Sequence, residues 1–273
     1  MDFFLKIMHY ASALKIRFGL FLEVKKAIRE GSRFNFNIRK GIWHEPHIHE
    51  EYIWLLRFIK NDENIILLDV GGNSGYWAEL FLKYYPNTHS FSFEPVIEMF
   101  TMYKNRFKSN TKINVFNVAL GEANSVQEIN VAKGFGLTSF HQYGDFLSSK
   151  NQYFEKKESV KIETLESYKD QILLEKGNIK KIISKIDVQG FEINVLKGAK
   201  EILHHIDIMI IECSFVKEFE GCPPTFSEIV STLREYKLYP VNFGCFDYHL
   251  SPMAYERNVL FVKEEYFEKI WNY

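Results

Sequence analysis

Four consecutive aliphatic residues, Ile65 to Leu68, read as a strand buried on both faces of a parallel sheet. Beyond them Trp77, Leu80, Phe81 and Tyr84 recur at i, i+3, i+4 and i+7, the spacing of one helix face. Short apolar runs and helical stripes keep alternating along the chain. They predict a helix over 50–60, a second strand over 89–93, a helix over 97–108, and a third strand over 113–120 closed by Gly121. Short extra strands over 126–131 and 160–162 flank a Gly/Ser/Lys-rich segment, 132–159, which is long for a loop inside a compact domain. The alternation resumes with a buried strand over 182–188, a helix over 192–203, a strand over 206–211 and a helix over 225–237. Strands over 238–243 and 258–262 close the sheet as an antiparallel edge pair. The fold class expected is α/β, a doubly wound, mostly parallel sheet over 61–273 with a helical extension, 1–60, in front.

The extension, Met1 to about Ser32, is amphipathic and basic, and Lys15, Arg17, Glu23, Lys25 and Lys26 interrupt any long apolar run. It reads as neither a secretory signal nor a spanning helix. A lid, or a helix packed on the main domain or on a second subunit, is preferred over contact with an anionic membrane surface, and a homo-oligomer stays open. At 273 residues and 46% hydrophobic, the chain can bury one large core. A net charge of -1 argues against nucleic acid as a general partner. Cys213, Cys222 and Cys245 are too scattered for a disulfide framework or a zinc site, so a reducing cytoplasm is the expected home.

The chemistry concentrates where the strands end. After the first strand comes Asp69-Val70-Gly71-Gly72-Asn73-Ser74-Gly75, a turn whose glycines let backbone approach a ligand. The spacing is G-x-N-x-G rather than the dinucleotide G-x-G-x-x-G, and an acid precedes it. A carboxylate there repels a pyrophosphate and suits a phosphate-free cofactor with a cationic end, S-adenosylmethionine. Glu94, ending the second strand, is placed to accept both ribose hydroxyls. The plainer alternative is an ordinary strand–turn–helix capped by Asn73 and Ser74. Asp69, Glu94, Asp187 and Glu212 each sit at or just past a strand's carboxyl end, with no lysine expected beside them. In an open parallel sheet those ends share one edge, and ligands bind in the crevice there.

These blocks, over about 65–215, resemble the FkbM-type family of S-adenosylmethionine-dependent O-methyltransferases. Leu68 to Tyr76 is similar to its first block, Phe93-Glu94-Pro95 to its second and Val118-Ala119-Leu120-Gly121 to its third. Leu137-Thr138-Ser139-Phe140 and Glu163-Thr164-Leu165-Glu166 resemble shorter blocks. Lys185-Ile186-Asp187-Val188-Gln189-Gly190-Phe191-Glu192, with Val195-Leu196-Lys197-Gly198-Ala199, resembles the most distinctive one, and Ile210-Ile211-Glu212 the last. The resemblance implies a Rossmann-like class I methyltransferase fold with a seven-stranded sheet and an antiparallel edge strand. It implies cofactor contacts from Asp69, Gly71, Gly72, Asn73, Gly75, Glu94, Pro95, Ala119 and Asp187. Two positions depart from the family pattern. Gly72 stands where Ala is usual, and Gln189 replaces the glutamate of D-V-E-G, so that position cannot serve as a base.

Asp187 is the first candidate for the base that takes an acceptor hydroxyl's proton, or for holding a divalent ion. Glu212 is the natural second carboxylate, and the two could share Mg²⁺ with substrate oxygens and waters. His141 is an alternative base, with a surface histidine as the plainer reading. His44, His47 and His49 with Glu45 lack the H-E-x-x-H spacing and read as a loop or a substrate-side wall. The leading function is methyl transfer to a hydroxyl of a saccharide or similar polar small molecule, with segment 132–159 and the His44–His49 stretch on the acceptor side. The alternatives are a nicotinamide-dependent oxidoreductase and a non-catalytic relative acting as a partner protein.

Overall fold

The computed structural model describes residues 51, 54–132, 137–148, 153–175, 179, 181–243 and 256–267. All of them belong to the compact unit Glu50–Tyr273. The N-terminal extension, the histidines at 44, 47 and 49, and residues 133–136 and 149–152 of the expected insert lie outside the described residues.

The four aliphatics, with Asp69 and Val70, form β1 (Ile65–Val70), buried along its whole length. It is followed by α1 (Tyr76–Tyr84), β2 (Thr88–Phe93), α2 (Ile97–Arg106) and β3 (Ile113–Phe116). A side unit comprises β4 (Ala119–Leu120), β5 (Ser125–Ala132), α3 (Asp145–Ser148) and β6 (Phe154–Glu163). The chain then continues through α4 (Lys169–Glu175), β7 (Lys181–Ile186), α5 (Glu192–Lys197), β8 (Ile208–Ser214), α6 (Phe226–Glu235), β9 (Leu238–Phe243) and β10 (Glu256–Lys263).

The main sheet has seven strands in the order β3-β2-β1-β7-β8-β10-β9. β1 pairs in parallel with β2 on one side and β7 on the other. The chain therefore reverses its winding direction beside β1, which opens a crevice at the carboxyl ends of β1, β2 and β7. The last two strands are the antiparallel pair expected from sequence. β10 is inserted between β8 and β9 and runs antiparallel to both, so β9 is the edge. The core lies between this sheet and its helices, with Ile66, Leu68, Phe91, Ile182, Met209 and Phe261 among its fully buried members.

Three expectations are corrected. The third strand is two strands: β3 ends at Phe116, and Ala119–Leu120 pairs with β6 in a separate sheet of order β4-β6-β5. The break falls where the Asn117 amide donates to the Glu94 and Pro95 carbonyls, at 3.0 and 2.8 Å, turning the chain out of the main sheet. Segment 132–159 is not irregular throughout its described part, because Asp145–Ser148 is helical and β6 begins at Phe154 and pairs antiparallel with β5. Val96, Ile129, Val131 and Val160 bury that strand pair against the start of α2. The helix expected over 192–203 stops at Lys197 and resumes as a 3-10 turn, Lys200–His205, because Lys200 takes a left-handed φ of 40°.

The end of β1 is held from both sides. The Gly71 and Gly72 amides donate to the Phe93 carbonyl at 3.0 and 3.1 Å, and the Asp187 amide donates to the Val70 carbonyl at 3.0 Å. Gly71 has φ 77°, and a Cβ there would lie 1.9 Å from the Asp187 carbonyl oxygen. Strain and backbone clash coincide, so Gly71→Ala should destabilise the fold by about 2 kcal/mol or more. Urea unfolding measures this, and unchanged stability would show that the β1–β7 junction is not closed as described.

Candidate active site

A cleft of about 360 Å³ opens along the carboxyl edge of the sheet, within the size range of small-molecule sites. Gly71, Asn73, Glu94 and Pro95 line one end, and Asp187, Gln189, Glu212 and Glu256 the other. Apolar walls come from Phe93, Val96 and Leu120, and from Leu137 and Phe140 of the side unit. Ala119, expected from sequence to contact cofactor, lines the cleft as well.

The glycine-rich turn does two jobs. Asn73 adopts a left-handed φ of 50°, its side-chain oxygen accepts the Ser74 amide at 2.7 Å, and its own amide donates to Glu94 at 2.8 Å. Glu94 also accepts the Val96 amide at 2.9 Å, so one carboxylate fastens the turns after β1 and β2 together. Burial pushes the Glu94 carboxyl up to about 7 against these two backbone donors. Each of its oxygens keeps a lone pair for a ligand.

Asp69 is corrected: it does not line the cleft. It is buried beneath the turn, where it accepts the Tyr103 hydroxyl at 2.8 Å. That hydroxyl also meets Ser92 at 2.7 Å, and Ser92 meets Ser90 at 2.7 Å. Gly72 and Gly75 are absent from the cleft wall for the same reason. A Cβ on either would strike the Tyr103 ring, at 2.5 and 2.6 Å, so these glycines admit α2 to the sheet edge rather than a ligand to the backbone. Burial raises the Asp69 carboxyl, opposed by Lys185 and the Tyr103 hydrogen bond.

At the other end, Gln189 lies between two carboxylates. Its amide nitrogen donates to Asp187 at 3.0 Å and also to Glu212. Lys185, buried in β7, donates to Asp187 at 2.7 Å. Burial alone would raise Asp187, but the Lys185 ammonium and the bonds from Lys185, Gln189 and Glu212 outweigh it and hold the carboxyl below its usual range. Glu212 is raised well above its usual range, first by burial and then by the Asp187 charge. The two carboxyls are thus pushed in opposite directions, Asp187 toward its charged form and Glu212 toward its neutral one. The Gln189-Gly190 turn is itself fixed by Glu192, which accepts the Val188 and Gly190 amides at 3.2 and 3.1 Å.

Lys185 overturns the expectation that no lysine accompanies the acids. Its ammonium interacts with Asp187, Glu51 and Asp69, and these charges raise its pKa against the opposing effect of burial. Glu51 is buried, accepts the Trp77 indole at 2.6 Å and an Asn258 amide hydrogen, and is pushed up to about 7 by burial. Sequence reasoning missed Glu51, Tyr103 and Glu192, and gave Lys185 no role beyond its motif. One signal was available: a lysine inside a buried apolar strand needs a partner.

His141 is also corrected as a candidate base. Its ring is 6.1 Å from Phe191 and 6.2 Å from Phe219, outside the cleft lining, and burial lowers its pKa against a hydrogen bond to the Gly190 backbone. Its neighbour Ser139 is the more connected residue. The buried Ser139 hydroxyl donates to the Gln189 carbonyl at 2.6 Å and accepts the His141 amide at 3.1 Å. The Mg²⁺ expectation gains no support from the donor set, because Asp187 and Glu212 are engaged by Lys185 and Gln189. Among the described residues no three His, Cys, Asp or Glu side chains come together as metal ligands.

An open parallel sheet with acids ranged along its switch point defines a Rossmann-like ligand-binding protein. The chain belongs to the methyltransferase FkbM domain family, whose profile matches residues 69–238. It is therefore a methyltransferase, which sets aside the nicotinamide and non-catalytic readings. The 2-O-methyltransferase NoeI of Sinorhizobium fredii (strain NBRC 101917 / NGR234) is 26% identical over 228 residues, covering 81% of this chain and 88% of that protein. Among solved structures, magnesium protoporphyrin IX methyltransferase (ChlM) from Synechocystis PCC 6803 with bound SAH covers 89% of this chain and 94% of its own, at 10% identity and a TM-score of 0.43. Aeropyrum pernix fibrillarin with S-adenosyl-L-methionine covers 75% and 68%, at 8% identity and a TM-score of 0.42. Likenesses that remote carry no argument, and the fold rests on the strand order. Among the described residues no helix is long and apolar enough to cross a membrane.

Removing Lys185 tests the electrostatics of the edge. Lys185→Met should destabilise the fold by about 3 kcal/mol at neutral pH, since it leaves the half-buried Asp187 and the buried Asp69 and Glu51 without their shared counter-charge. Asp187, held low by Lys185, stabilises the wild type only above its unfolded pKa. The deficit of the variant should therefore shrink as pH falls and Asp187 protonates. Chemical unfolding at neutral and mildly acidic pH checks this, and a deficit that stays constant or grows on acidification would refute the pairing.

Proposed function

We propose that the protein transfers a methyl group from S-adenosylmethionine to a hydroxyl oxygen of a saccharide or similar polar small molecule. The observation that carries this reading is one continuous cleft with Glu94 at one end and the Asp187–Gln189–Glu212 group at the other, built within the family's matched residues. The name of the Sinorhizobium relative, a 2-O-methyltransferase, supports an oxygen acceptor. The reading includes a reducing cytoplasm as location, which the free thiols of Cys213 and Cys222 favour.

The residues present fit the cofactor. Glu94 offers carboxylate lone pairs for ribose hydroxyls, and Phe93, Val96 and Leu120 give apolar surface for a purine. Carboxylates along the edge suit a cationic amino acid end and disfavour a pyrophosphate. When bound, S-adenosylmethionine supplies an electrophilic methyl on a sulfonium. The chain's own residues then have two tasks. The first is to hold the acceptor oxygen in line, a positioning effect that reaches about 7–11 kcal/mol in ideal cases. The side-unit wall of Leu137, Thr138 and Phe140 faces the cleft for that purpose. The second is to take the hydroxyl proton, and here Asp187 and Glu212 act as one titrating pair. With the Glu212 proton gone the pair is the stronger base, so turnover should rise with pH as that proton leaves and level off above it.

Two outcomes are expected. Glu94→Gln should weaken S-adenosylmethionine binding at least tenfold by calorimetry, or about 1.4 kcal/mol, and preferential binding of NAD by the wild type would overturn the cofactor reading. In assays with labelled methyl donor and a panel of glycans, Asp187→Asn should lower turnover by about 10²–10⁴-fold. Glu212→Gln should abolish the rising limb of the pH profile. Near-normal turnover in Asp187→Asn removes the pair from the chemistry, and failure of every hydroxyl acceptor removes the substrate class.

A further inference from the structure

Gln189 is held in an unusual way. Its backbone has a left-handed φ of 53° and the following Gly190 a φ of 92°, so the chain turns sharply as it leaves β7. Three groups fasten that turn. Glu192 accepts the amides on either side of Gln189, the Ser139 hydroxyl donates to the Gln189 carbonyl, and the Cys222 thiol lies 3.4 Å from the Gly190 carbonyl oxygen. With its backbone fixed, the side chain is directed between Asp187 and Glu212, and its nitrogen donates to both.

An amide is the one uncharged side chain of this length that carries two donor hydrogens on a single nitrogen. Placed between two carboxyls, it satisfies both without adding charge. A glutamate, sterically almost identical, would bring a third carboxyl to the same point and have no hydrogen to donate when ionised. We infer that Gln189 is the positioning residue of the reaction, holding Asp187 and Glu212 in the relative orientation in which they accept the acceptor's proton. This rests on the proposed role of that pair. It also gives the Ser139 hydrogen bond a purpose, because the side-unit segment that lines the acceptor end is tied to the turn that orients the base.

The sign of the effect follows from hydrogen bonding. A donor stabilises the ionised form of a carboxyl and lowers its pKa. Removing the Gln189 hydrogens should therefore move the rising limb of the pH–rate profile to higher pH. Five other charged groups act on the pair: Lys185 on β7, Glu256 on β10, Glu192 on α5, Asp69 on β1 and Glu51 ahead of β1. All five are unchanged in a Gln189 variant, so the shift reports on Gln189 itself.

The experiment measures kcat against pH for the full chain and for Gln189→Leu and Gln189→Glu, with S-adenosylmethionine affinity by calorimetry for each. The limb should move up in both variants, further in Gln189→Glu, by about one unit or more, while cofactor affinity stays close to wild type. Should Gln189→Leu fail to fold, the isosteric Gln189→Glu still decides the matter. A wild-type profile with no rising limb would overturn the pair as base. A wild-type limb that stays in place in Gln189→Glu would overturn the role of Gln189 alone.

Discussion

One buried ammonium organises the functional edge of this protein. Lys185 lies in a strand whose other residues are Lys181 at its start, three isoleucines and a serine, and burial there disfavours its charge. The charge is kept because Asp187, Glu51 and Asp69 surround it, each on a different stretch of chain. A buried charge of this kind is costly unless every partner is in place. The turn after β1, the end of β7 and the residues ahead of β1 are thus coupled through a single site. Trp77 adds its ring face, 5.6 Å from the ammonium, and its indole hydrogen to Glu51.

That arrangement separates the acids into distinct kinds. Asp69 serves packing, because Tyr103 occupies its outward side. Glu94, clamped by two amides and raised toward neutrality, links the turns that frame one end of the cleft. Asp187 is favoured in its charged form by Lys185, and burial together with the Asp187 charge favours the neutral form of Glu212. Environment rather than residue type decides which carboxyl is charged.

The side unit completes the enclosure. The pair of β5 and β6 packs on the start of α2, so its position is tied to the loop that contains Glu94 and Pro95. Farther along, Tyr143, Leu147, Phe219 and Cys222 bury the segment after it against the loop following β8. Paired backbone and buried aromatics in the described part make this a built wall rather than a loop without structure.

The sequence by itself determined the main architecture and the location of the site. Short apolar or alternating runs that end in an acid, bounded by turn residues, read as strands whose polar ends emerge at one edge, so Asp69, Glu94, Asp187 and Glu212 announced that edge without any structure. Local periodicity also specified most helices and the closing antiparallel pair. It could not specify which acids face the cleft, because that depends on where α2 packs, and Tyr103 is distant from Asp69 along the chain. Nor could it place β4 in a second sheet, since an apolar run carries no information about its pairing partner. The Lys185 pairing, the Gln189 bridge and the exclusion of His141 from the cleft were likewise decided by tertiary structure. Each depends on groups brought together from separate elements, and electrostatic energy depends on distance in space, not on spacing in sequence.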